Sequence, residues 1–172
     1  MTGREPKENN DVFFVCSLIE YIARRTKNHR SVVVNTLGRD KLQHIFNLAD
    51  IYHSDNIDKV RDELIAECKI ETGHFDNVLT THYSIPTIWD IGKVYKRLIM
   101  DIVASRDTSD SVGVLIEVHN SWISRKIENF NSSMYFENPV YIFQPYLVGE
   151  MSWIKYIVKP SESIPSNSVK LK

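Results

Sequence analysis

The feature that most constrains this chain is an apolar spacing of three and four that returns along most of its length. Phe14, Leu18 and Ile22 recur at four, with Val15 and Ile19 beside them. A stripe of this kind buries one face of a helix, whereas a half-buried strand alternates with period two. The spacing returns in Leu42, Ile45, Phe46 and Ala49, and again in Ile57, Val60, Leu64 and Cys68. It returns a third time in Ile91, Val94, Tyr95, Leu98 and Ile102, and a fourth in Leu115, Val118, Trp122, Ile123 and Ile127. The expectation is a mainly α fold with a helical bundle-like core.

Local signals divide the chain. Residues 1–10 read as a disordered tail, and residues 11–70 as an N-terminal helical unit. Its first helix runs from Asp11, a candidate cap, to about Arg25. Val32 to Leu37 reads as a short helix between a Ser31 cap and Gly38, although its three valines fit a strand equally well. Helices follow over about 40–52 and after the Ser54-Asp55-Asn56 turn. Residues 71–158 should hold a connector, with a short extended piece at Val78–Tyr83, then two long helices over about 87–105 and 111–130. Thr87 and either Asp110 or Ser111 would start them. An aromatic segment rich in Tyr135, Phe136, Tyr141, Phe143, Tyr146, Trp153 and Tyr156 closes this part, with Val140–Phe143 and Ile154–Val158 expected to be extended. Residues 159–172 read as a second disordered tail.

Composition narrows the function. The 172 residues are 42% hydrophobic and 25% charged, which suits a folded domain. Twenty-one basic against 22 acidic residues give a net charge of -1, so no global basic excess invites nucleic acid. There is no apolar run of membrane-spanning length, and the polar start MTGREPKENN is not a secretory signal. Cys16 and Cys68 read as reduced core thiols of a cytoplasmic protein. The six histidines lack metal-binding spacing, and no phosphate-cradling or nucleophile-elbow motif occurs, so neither metal nor cofactor is expected.

Three constellations remain. Arg24, Arg25, Lys27 and Arg30 form a local basic cluster able to meet phosphate or an acidic partner, or simply to complement a helix end. Tyr135, Tyr141, Tyr146 and Trp153 are residue types that build partner surfaces. Arg39-Asp40-Lys41-Leu42-Gln43-His44 resembles the R-[polar]-x-x-x-H signature of the HEPN family of all-helical ribonucleases. That resemblance implies His44 as general acid/base on a ribose 2′-hydroxyl and Arg39 on phosphate, with a homodimer uniting two copies.

A second resemblance covers residues 12–68. Phe14, Ile19, Glu20 and Ala23 in the first helix, Ser31 and Val34 in the next, and Tyr52-His53 before a final acidic helix carry it. They resemble a family of small bacterial helical domains of unknown function, often encoded beside ADP-ribosyltransferase-like toxins. The resemblance implies an antitoxin or accessory role in a toxin–antitoxin or phage-defence pair. The favoured expectation is a non-catalytic interaction protein with a protein partner. The alternative is a HEPN-like ribonuclease using Arg39 and His44.

Overall fold

The computed structural model describes residues 6–149. The described residues form eight α-helices and one turn of 3-10 helix, joined by turns and connectors, with no strand among them. In order they are α1 Lys7–Thr26, α2 Arg30–Asn47, α3 Ala49–Ser54, α4 Ile57–Glu67, α5 Ile88–Arg106, α6 Ser111–Asn120, α7 Trp122–Glu128, the 3-10 turn Met134–Phe136, and α8 Pro139–Val148. No described helix is long and apolar enough to cross a membrane.

The periodic residues form one core. Phe14, Leu18, Ile19 and Ile22 of α1 are fully buried, and so are Ile91, Leu98, Ile99 and Ile102 of α5. These two helices make the most extensive pair in the molecule, and α2 packs across both α1 and α6. Close approach of α1 and α5 rests on Gly92. A Cβ there would stand 1.9 Å from the Ser17 hydroxyl oxygen and 3.0 Å from the Ser17 Cβ.

Helix starts follow the expected side chains. Thr87 and Asp90 form a reciprocal capping box at α5. Asp110 accepts from the Gly113 amide at 2.9 Å and starts α6. Asn56 accepts from the Asp58 and Lys59 amides at the start of α4.

Several expectations are corrected. Residues 7–10 are helical rather than a frayed tail, and Asp11 lies inside α1, bonded to Lys7 one turn back. Val32–Leu37 is helical, which resolves the helix-or-strand ambiguity, and it belongs to α2. Gly38, at φ 73 and ψ 166, is non-helical and kinks α2 into two helical stretches at the expected glycine stop, in a conformation that side chains disfavour. Val78–Tyr83 forms turns rather than an extended piece. The expected long helix over 111–130 is interrupted at Ser121, whose extended backbone separates α6 from α7.

The aromatic segment is the largest correction. Val140–Phe143 is not extended but forms the first half of α8. Asn138 caps that helix by accepting from the Val140 amide, and Pro139 occupies its first position, where a missing N–H costs nothing. These start signals outweigh the β-forming composition. Ile154–Val158, Trp153 and Tyr156 lie outside the described residues.

Helix propensity alone says that Gly92→Ala stabilises by about 1 kcal/mol. The packing predicts the opposite sign, a loss of about 1–3 kcal/mol from overpacking, partly relieved by adding Ser17→Ala. Urea unfolding of the two variants distinguishes these outcomes.

Candidate functional site

Charged side chains occupy the middle of the core, at the place where α1, α2, α5, α7 and the 71–87 connector meet. Glu20 of α1 and Arg30 of α2 are each only 1% exposed. The Arg30 guanidinium donates from Nε and Nη2 to the two Glu20 oxygens, both at 2.5 Å. Arg24, one turn after Glu20, donates from Nε to Glu20 Oε1 at 2.7 Å. Burial alone would raise the Glu20 pKa, but the two guanidiniums hold it below the ordinary range.

Glu128 of α7 continues the network. Its Oε1 accepts the Arg30 backbone N–H at 2.7 Å, and its Oε2 lies 2.8 Å from His29 Nδ1. A carboxylate only accepts, so the Nδ1 proton sits between them and Nε2 is the ring's free nitrogen. Asn77 of the connector accepts from Arg30 Nη2 at 3.5 Å and donates to the Glu128 carbonyl at 2.9 Å. Two carboxylates thus face two guanidiniums, and the interior charge balances. Phe130 lies under both cations, 5.2 Å from Arg24 Cζ and 5.9 Å from Arg30 Cζ.

Behind the ion pairs, Tyr95 stacks on His119 at 4.1 Å and shares a 2.6 Å hydrogen bond with Ser124. The His119 Nδ1–H donates to the Leu115 carbonyl at 2.8 Å, and its buried Nε2 has no partner. Burial pushes the His119 pKa down to about 4. Arg24 Nη2 and Arg30 Nη1 are likewise buried without a partner.

The network opens to solvent at His29, which is 46% exposed. Its ring stacks on Phe75 at 3.7 Å. Beside it lies a cavity of about 160 Å³ bordered by Asn77, Arg125, Glu128 and Asn131. The cavity can place a cation and an oriented imidazole against a small polar ligand.

The basic cluster therefore splits. Arg30 and Arg24 point inward, against the expectation of a solvated basic face, because the buried Glu20 carboxylate draws both guanidiniums into the core. Lys27 pairs with Asp76 at 2.5 Å, and Arg25 is exposed. Sequence reasoning placed His29 only within the basic cluster, used Glu20 only as part of a resemblance, and missed Glu128. Glu20 carried a signal, since it lies four residues from Cys16 on the apolar side of α1.

Arg39 and His44 are both exposed on the second half of α2. Five residues apart on a helix, they diverge by about 140° around its axis. Arg39 donates from Nη2 to Asp110 at 2.7 Å, tying α2 to the α6 cap. Within one chain the two side chains are not brought together. Cys16 is buried and Cys68 half-buried, both as free thiols, and no metal-holding cluster occurs among the described residues.

A second surface lies on the 3-10 turn and α8. Phe136 is 66% exposed, Tyr141 is 68% exposed, and Val140, Leu147 and Val148 are about half exposed or more. Val140, Tyr141 and Val148, with Met134 and Pro145, line a groove of about 620 Å³, whereas Phe136 borders separate hollows with Val94 and Arg97. Tyr135 and Tyr146 are less available. The Tyr135 hydroxyl reaches the Ser84 carbonyl at 3.5 Å, and that of Tyr146 donates to Glu117 at 2.5 Å. Of the four aromatic residues expected to bind a partner, Tyr141 is open, and Trp153 lies outside the described residues.

Comparison with known proteins finds no matching family model, no matching curated protein and no matching solved structure.

His119 makes the fold acid-sensitive in a defined window. Its folded pKa of about 4 lies below the ordinary 6.5, so the unfolded chain takes up the proton first. The contribution is whole above pH 6.5 and is lost as pH falls towards 4, by about 3 kcal/mol at most. His119→Phe keeps the ring on Tyr95 and removes the unpaired nitrogen. Urea midpoints measured from pH 7 to 4 should fall less steeply in that variant; an unchanged slope would contradict the assignment.

Proposed function

We propose that this chain is a non-catalytic interaction protein that docks a protein partner on the face built by the 3-10 turn and α8. The observation that supports it is the exposed Val140, Tyr141 and Val148 lining one groove, with exposed Phe136 and Leu147 on the same two elements. Contiguous apolar surface of this kind marks interaction sites in soluble proteins. The partner's matching element is an apolar segment seated in the groove, between the charges of Lys126 and Glu137 on its walls. Tyr141 is the natural anchor, since tyrosine buries a large area at low entropic cost.

The resemblance of residues 12–68 supports a finer reading. The partner is a toxin of a toxin–antitoxin or phage-defence pair, and the chain is its neutralising or accessory component in the bacterial cytoplasm. The ion pairs of the core hold α7 and the 3-10 turn in place and so fix the groove's far wall.

The test uses Val140→Asp together with Tyr141→Asp. Both positions lie in the first turn of α8, where acidic residues favour the helix dipole, so the fold should persist by circular dichroism. Tagged wild-type chain recovered from its source cells should carry a stoichiometric protein partner. The double variant should bind that partner roughly thirtyfold more weakly, as expected for loss of a tyrosine anchor worth about 2 kcal/mol. Recovery of the wild-type chain alone, or equal binding by the variant, would contradict the reading.

A further inference from the structure

The cavity beside His29 is remote in role from the apolar face and has a different chemistry. Its one acidic wall residue, Glu128, is buried and already bonded to the Arg30 amide and the His29 ring. The carboxylates and guanidiniums beneath it balance each other. The full charge left to face a ligand is the Arg125 guanidinium. Arg125 stands exposed on α7 with no acidic partner among the described residues. His29 presents its free Nε2 edge, and the Asn129 side-chain amide completes the rim.

A second observation points the same way. Arg30 Nη1 is fully buried and unpaired, although an arginine that is 1% exposed normally satisfies its donors. Its guanidinium sits against Phe75, Phe130 and Asn77, all of which border the cavity. Arg30 does not itself line the cavity, so its unmet donor adds to the positive field behind that wall rather than making a hydrogen bond to a ligand.

We propose that this cavity binds the phosphoryl group of a small phosphate ester. Arg125 supplies a forked pair of donors to two of its oxygens, and the free Nε2 of His29, held by Glu128, accepts a hydrogen bond from a phosphoryl hydroxyl. A volume of about 160 Å³ accommodates a phosphoryl group with few further atoms. The remainder of the ester therefore stays at the mouth, beside the exposed imidazole. Asn129 borders both the cavity and the α8 groove, but His29 and Arg125 border only the cavity and Tyr141 only the groove, so either reading can fail without the other.

The experiment is an NMR titration of the full chain with inorganic phosphate and with glycerol phosphate, at pH 6.5 and constant ionic strength, with chloride as control. The His29 ring and Arg125 side-chain signals should shift saturably with both phosphates and not with chloride. Arg125→Gln should weaken binding by about tenfold or more, as expected for a lost charge-assisted pair of hydrogen bonds. Arg25→Gln, an exposed arginine outside the cavity, should leave it unchanged. Two results would overturn the proposal: no saturable shift at His29, or equal affinity in wild type and Arg125→Gln.

Discussion

The bidentate pair between Arg30 and Glu20 is the constraint around which the rest of the structure is arranged. Taking two charges out of water costs several kcal/mol per ion, and the pair's attraction offsets this only when every remaining donor and acceptor is well placed. That requirement recruits neighbours from distant parts of the chain. Arg24 covers the same carboxylate from α1, Asn77 reaches in from the connector, and Glu128 takes the Arg30 amide from α7. Nearby, Asn28 donates to the Thr26 hydroxyl and the Glu71 carbonyl, which pins the connector to the end of α1. An apolar core would tolerate small shifts between these elements. An ionic one tolerates far fewer, because each shift strands a buried charge.

This arrangement links the core to both candidate surfaces. Glu128 orients His29, so the imidazole at the cavity mouth is fixed by the same network that fixes α2. Glu128 also ends α7, and the chain beyond it forms one wall of the α8 groove. The two surfaces differ in kind. One is a small, donor-rich cavity over ion pairs, and the other is a broad apolar groove on a helix that buries only Ile142 and Pro145 fully.

Much of the fold was legible in the sequence because burial of helical stripes dominates it. The spacings in α1, α4 and α5 located the helices, and Thr87, Asp110 and Asn56 marked their starts. The break at Gly38 was legible from the glycine itself, whereas the one at Ser121 was harder to read, since an apolar period continues across it. Val140–Phe143 misled because its β-branched and aromatic content outweighed the Asn138-Pro139 start signal. The candidate site was least legible. Four cations within seven residues look like a solvated patch, and what draws the Arg30 side chain inward is Glu20, ten residues back, while Glu128, 98 residues away, takes its backbone amide. Only the Glu20–Arg24 spacing was local, and it sat on an apolar face where a charge has no reason to be unless it is paired. The exposure of the α8 face depends on which side of that helix meets α5, which composition does not encode.

The most direct test is a double-mutant cycle on the central pair, read by urea unfolding of wild type, Glu20→Gln, Arg30→Met and the combined variant. Each single change should cost about 3–5 kcal/mol, because it leaves a buried charge short of its partner. The combined variant should recover a coupling energy of about 2 kcal/mol or more. Additive losses, with coupling below about 0.5 kcal/mol, would contradict the claim that this ion pair organises the fold.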